Sequence, residues 1–76
     1  MRVTVKFFAS LREQMGSDGS VIESGSPLTV AEVWQRVSNG PPPENLLCSR
    51  NLQYADWDES IEDGDEVAFF PPVTGG

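Results

Sequence analysis

An α+β fold, with one mixed sheet covered on one face by one main helix, follows from three features of this 76-residue sequence. Its first and last apolar segments alternate with a period of two, as half-buried strands do. Between them, only one segment carries a strong apolar stripe at helical spacing. A sheet whose partner is a single helix has one covered face and one exposed face.

In the opening segment Val3, Val5 and Phe7 point one way, and Arg2, Thr4 and Lys6 the other. Ser10 with Glu13 three residues on predicts a capping box for a short helix, Leu11 to Met15, which Gly16 closes. Ser17 to Gly19 is turn chemistry, and Ser20 to Glu23 reads as a short second strand that ends at the loop from Ser24 to Pro27. Thr29 and Glu32 form a second capping pair. Behind them Val30, Val33, Trp34 and Val37 fall at i, i+3, i+4 and i+7, which makes Trp34 a core residue of the main helix. Asn39-Gly40 ends that helix, and Pro41 to Pro43 forbids its resumption. A third strand is expected from Leu46-Leu47-Cys48 and a fourth from Leu52 to Ala55, with a turn near Arg50-Asn51. Ser60 to Glu62 reads as a single helical turn before the tight turn Asp63-Gly64-Asp65. Glu66 to Phe70 is the last strand.

Strand, helix, strand, helix, two strands, turn, strand is the order of a β-grasp, or ubiquitin-like, fold. It places the first and last strands side by side and parallel in the centre of the sheet. The expected division is a domain over 1–70 and an extended tail over 71–76.

Composition removes several functions. The chain has one cysteine and no histidine, so an internal disulfide framework, the usual zinc ligand sets and the usual neutral-pH base are all missing. A formal net charge of −7 repels phosphate backbones and anionic lipids, which makes nucleic acid and membrane poor partners. The same charge suits docking onto basic protein surfaces or serves only solubility. No segment resembles a signal peptide or an apolar span, and the expected location is cytoplasmic.

The acidic stretch Asp56, Asp58, Glu59, Glu62, Asp63, Asp65, Glu66 fails as a calcium loop. With Gly64 at the sixth position, Ile61 falls on the third-position ligand and Phe70 on the terminal glutamate. No metal site is expected, and these carboxylates read as a solvated surface or part of a docking face. Cys48, in an apolar strand without a histidine to activate it, reads as a packing residue.

The tail has more chemistry. Gly75 and Gly76 carry no side chain, so the backbone there fits a channel too narrow for other residues. Pro71 and Pro72 stiffen the exit from the sheet, and Pro71, Pro72, Val73, Thr74, Gly75 and Gly76 together span about 20 Å at roughly 3.3–3.6 Å per residue. A carboxylate is a poor acyl donor until ATP converts it to an acyl-adenylate. A sulfur nucleophile then displaces AMP and leaves a terminal thiocarboxylate, a far better nucleophile. Strand parity puts Phe8 and Phe70 on the exposed face of neighbouring strands, with Arg12 at the rim, as a candidate docking patch.

The segment from Asp63 through Phe69-Phe70-Pro71-Pro72-Val73-Thr74 to Gly75-Gly76 closely resembles the C-terminal signature of the molybdopterin synthase small subunit, a sulfur carrier. Val5-Lys6-Phe7-Phe8-Ala9, Leu11-Arg12-Glu13 and Asn51 are similar to that family as well. Arg50, where an apolar residue usually precedes the asparagine, and the Pro41–Pro43 loop depart from its pattern. The resemblance implies that the protein is no enzyme on its own and binds no cofactor. A ubiquitin-activating-like adenylyltransferase would use ATP to adenylate Gly76, and a sulfur donor protein would convert it to the thiocarboxylate. The loaded tail would enter the large, catalytic subunit of molybdopterin synthase and give its sulfur to cyclic pyranopterin monophosphate. Two small subunits flanking a dimer of large ones is the implied heterotetramer. Sulfur carriage for thiamine or tRNA, a ubiquitin-like protein tag joined through Gly76, and a non-covalent binding domain are the alternatives.

Overall fold

The structure is a computed structural model and describes residues 1–38 and 40–72; Asn39 and the sequence from Val73 to Gly76 lie outside the described residues. Strand β1 (Arg2–Phe7) buries Val3, Val5 and Phe7 in alternation. Its parallel neighbour is β7 (Glu66–Phe70), with Val5 opposite Val67 and Phe7 opposite Phe69. Strand β2 (Gly19–Glu23) runs antiparallel along the other edge of β1. On the far side of β7 lie β4 (Leu47–Arg50) and then β5 (Gln53–Tyr54), both pairings antiparallel. The sheet order is therefore β2-β1-β7-β4-β5, with the first and last strands parallel at its centre as the element order predicts.

Gly19 has to be glycine for a local reason. It faces Lys6 across the β1–β2 pair at φ 150°, and a Cβ there would lie 2.2 Å from the Val5 carbonyl oxygen. The chain backbone can approach β1 this closely only without a side chain.

The main helix, α2 (Val30–Val37), covers one face of the sheet and buries Val30, Val33 and Trp34, with Val37 partly buried beside them. Its first turn has a partner for each of its leading N–H groups. Those of Val30 and Ala31 donate to the carbonyls of Glu59 and Trp57 at 3.0 and 2.9 Å. That of Glu32 donates to Thr29 Oγ1 at 3.2 Å while the Glu32 carboxylate accepts from the Thr29 N–H, which completes the predicted box. The helix ends at Val37, where the Ser38 hydroxyl donates to the Trp34 carbonyl. Phe69 sits under Trp34 at 5.0 Å, with Trp57 at 5.6 Å and Phe7 at 6.3 Å between ring centroids. This aromatic group, the valines and Ile61 form the core.

Two sequence expectations are corrected. The Ser10–Glu13 capping box does not form at α1 (Ser10–Met15), whose cap position is Ala9 with no side-chain bond. The Phe8 N–H is still tied to the Phe69 carbonyl, and Ala9 turns the chain at φ 56°, so Ser10 is already inside the helix when its hydroxyl would be needed before it. Ser60 to Glu62 is not a helical turn either. Ser60–Ile61 form β6, paired antiparallel with a strand the sequence did not disclose, β3 (Leu28–Thr29). Ile61 is buried beneath the start of α2, and the paired backbone holds the 57–59 loop against the helix's free N–H groups.

No helix among the described residues is long and apolar enough to cross a membrane. Thr29→Ala should lower stability by about 1 kcal/mol, whereas Ser10→Ala should stay within about 0.5 kcal/mol of the parent. Urea midpoints of the two variants measured side by side check this contrast.

Candidate functional site

The face of the sheet away from α2 presents rows of side chains in register. Thr4 lies beside Val21 and Glu66, and Lys6 beside Ala68, which in turn adjoins Ser49 and then Tyr54. Continuing this register sets Phe8 alongside Phe70. Ala68 and Ser49 are small and nearly buried, so the middle of the face is low. Around it stand Phe8, Val21 and Tyr54, exposed by 44%, 55% and 78%.

The predicted patch is present in pieces. Phe8 and Arg12 line one shallow crevice together with Val21. Phe70 turns the other way, and its ring lies 6.0 Å from that of Tyr54. Tyr54 was missed in the sequence, although a signal for it existed. A two-residue turn at Asn51-Leu52 aligns Tyr54 with Ser49, which puts it on the same face as Ala68 and Phe70.

That turn is held by a polar cluster. Asn51 and Leu52 both have positive φ, 51° and 70°, as a type I′ hairpin requires. The Asn51 side chain donates to Asp65 Oδ1 at 2.9 Å and accepts from the Glu66 N–H at 2.9 Å. Arg50 Nε donates to Asp65 Oδ2 at 2.6 Å, and that oxygen also accepts from the Glu62 N–H at 2.8 Å. The two further Arg50 contacts, to Glu59 and Glu62, are both 3.4 Å long. The Glu62 side chain is 80% exposed, and pairs of that kind contribute little. Asp65 is thus the centre of the cluster. Arg50 is its cation.

Burial by itself would raise the Asp65 carboxyl, but hydrogen bonds from the Glu62 N–H, Asn51 and Arg50 outweigh it and hold the group below its ordinary 3.8. Cys48 is a contrasting case. Its thiol donates to the Ala55 carbonyl at 3.1 Å, and burial, followed by the Asp56 and Glu59 carboxylates, pushes it up to about 11. It is a packing residue, as its setting in the sequence predicts.

Beyond β7, Pro71 is half-buried and Pro72 exposed. They line a small crevice with Leu11 and Gln14 of α1 and with Pro43 and Leu46. Pro43, at the end of the proline loop, therefore borders Pro71 and Pro72. Val73, Thr74, Gly75 and Gly76 lie outside the described residues.

Residues 5–76 match the model of the ThiS family. The chain belongs to that family. A curated relative from Escherichia coli (strain K12), the molybdopterin synthase sulfur carrier subunit, is 36% identical over 97% of this chain and 99% of its own. Among solved structures, SAMP1 from Haloferax volcanii superposes over the whole of both chains with a TM-score of 0.80 and 27% identity. Subunit 1 or 2 of the molybdopterin-converting factor complex from Helicobacter pylori matches over the whole of both chains with a TM-score of 0.68 and 22% identity, a likeness of fold. These comparisons show the β-grasp fold and the family to which the sequence is similar.

Two measurements test the local chemistry. Because the Asp65 carboxyl is lowered on folding, its contribution is complete above 3.8 and is lost as pH falls through the folded value below that. Asp65→Asn should therefore cost about 1–3 kcal/mol at pH 7, and the gap to the parent should close in urea titrations repeated toward pH 2. With its thiol near 11, Cys48 should be roughly one part in a thousand thiolate at pH 8. An aromatic disulfide reagent should then label the native protein far more slowly than the urea-unfolded chain.

Proposed function

We propose that this chain is a sulfur carrier subunit of molybdopterin synthase, working in the cytoplasm as the non-catalytic member of a sulfurtransferase complex. The observation that carries this reading is the match to the Escherichia coli relative of that name over 97% of this chain and 99% of the relative, with the segment Phe69-Phe70-Pro71-Pro72-Val73-Thr74-Gly75-Gly76 as the signature that resembles the family.

The proposed chemistry begins at the Gly76 carboxylate, which attacks the α-phosphate of ATP on a ubiquitin-activating-like adenylyltransferase and releases pyrophosphate. Sulfide supplied by a donor protein attacks the acyl carbon, the new C–S bond replaces the C–O bond to AMP, AMP departs, and the chain leaves as the thiocarboxylate. Pro71 and Pro72 leave the sheet beside α1, and Gly75 and Gly76 carry no side chain that would obstruct a narrow channel. The tail then enters the large subunit, whose side chains catalyse sulfur transfer to cyclic pyranopterin monophosphate. Phe8, Arg12 and Phe70, to which the structure adds Tyr54, are the surface on which partners would dock. Their position around a low centre formed by Ala68 and Ser49 fits this role, since an incoming apolar side chain finds room there. No residue of the chain itself needs a bound cofactor or metal for any of these steps.

A second reading, attachment of the chain through Gly76 to lysines of other proteins, draws on the likeness to the modifier SAMP1. It shares the adenylate intermediate and differs in the final nucleophile.

Incubating the protein with ATP, its adenylyltransferase and a sulfur donor should raise its intact mass by the difference between one sulfur and one oxygen. Deleting Gly76 should abolish the gain. An unchanged mass with active partner enzymes would sink the carrier reading. Adding the large subunit and cyclic pyranopterin monophosphate then separates molybdopterin synthesis from thiamine or tRNA service, and isopeptide-linked adducts in extracts would mark the modifier reading.

A further inference from the structure

The Tyr54 side chain holds itself in place by very little. It is largely in water, and its aromatic neighbour among the described residues is Phe70, 6.0 Å away. Its position is therefore set by the backbone of β5. That strand lies at the edge of the sheet and pairs only with β4, through Ser49 opposite Tyr54 and Arg50 opposite Gln53. Just beyond it the Ala55 N–H donates to the Cys48 carbonyl at 3.1 Å, which fixes the outgoing end of the hairpin.

At the turn the hold comes from the polar cluster. Asn51 and Leu52 are both left-handed, a conformation that residues other than glycine adopt only against steric resistance. Asn51 is gripped through backbone and side chain alike. Its N–H donates to the Glu66 carbonyl at 2.8 Å, its side-chain amide donates to Asp65 Oδ1, and its side-chain oxygen accepts from the Glu66 N–H. The preceding residue is tied to the same carboxylate through Arg50 Nε. All of these bonds end where β7, the strand that carries Phe70, begins. Asp65 thus couples the two strands whose outward rings meet. At 7% exposure it is itself beyond the reach of a partner.

We propose that Asp65 is a positioning residue for partner docking. Acting through Asn51 and Arg50, it sets the angle of the β4–β5 hairpin and keeps Tyr54 beside Phe70, on the surface that receives the large subunit. This rests on the carrier reading above. Without the carboxylate the hairpin keeps its bond at Ala55 but loses its hold at the turn, and Tyr54 no longer stays against Phe70. An aromatic anchor that has to be ordered during binding gives a weaker interface, because the ordering is subtracted from the contact.

Calorimetric binding of the full-length chain to the large subunit of molybdopterin synthase tests this with Asp65→Asn, Tyr54→Ala and the double variant. Asp65→Asn should bind about tenfold more weakly. In the free chain it should also lose the nuclear Overhauser contact between the Tyr54 and Phe70 rings, while the amide signals of β1 and α2 keep their parental positions. Once Tyr54 is alanine, the change at Asp65 should have no further effect on affinity, a non-additivity that general loosening of the fold would not produce. If Asp65→Asn does not fold, Asn51→Gly keeps the left-handed turn without the side-chain bonds and should give the same pattern. Parental affinity in the folded variant, a retained contact between the rings, or additive losses in the double variant would overturn the positioning role and leave the carrier reading standing. A natively folded parent that does not bind the large subunit would overturn both.

Discussion

Parallel pairing of β1 with β7 constrains everything between them. Two parallel neighbours cannot be joined by a hairpin, so the intervening chain has to cross the sheet, and α2 makes that crossing on the face where Val3, Val5, Phe7, Val67 and Phe69 converge. Burial of such side chains contributes roughly 1.5–3 kcal/mol each, and this set sits at the middle of the sheet where every other element can reach it. The same pairing decides where Pro71 leaves the sheet. Because β7 is central, the chain leaves the sheet from its interior, between the edges formed by β2 and β5, with Phe8 on one flank and Tyr54 on the other.

The polar cluster around Asp65 works on a different part of the molecule. β5 is only two residues long, and its pairing with β4 alone is a slender hold on the edge. Asn51 and Arg50 tie that hairpin back to the residue before β7 and so fix Tyr54 next to Phe70. The acidic stretch that looks uniform in the sequence is thus divided by function. Asp65 is structural, Glu66 and Asp63 are engaged with β1, and Asp56 and Asp58 face outward.

Much of this was legible from residue order. Period-two alternation identified β1 and β7, and the paired Thr29 and Glu32 located the start of α2, because each is a local signal that the tertiary structure reinforces. What the sequence concealed was non-local. β3 and β6 are two residues each, too short to show a period, and they exist because Leu28 and Ile61 find each other across the start of α2. At α1 the residue types of a capping box were in place, but the preceding strand holds on through Phe8 and shifts the turn to Ala9. For the candidate site, strand parity put Phe8 and Phe70 on the face away from α2, which is where the register sets them. It gave no account of Tyr54, whose alignment depends on the backbone of a turn.

Leu52 carries a cost that has consequences for how the protein can change. It sits at the tip of the β4–β5 hairpin in a left-handed conformation, at φ 70°, with 85% of its surface in water. Glycine would relax that backbone, and the fold makes no use of the side chain it would remove. The position therefore separates two kinds of selection. A lineage tuned only for stability would drift toward glycine there, whereas one that keeps a large apolar residue under strain has a reason outside its own fold to do so.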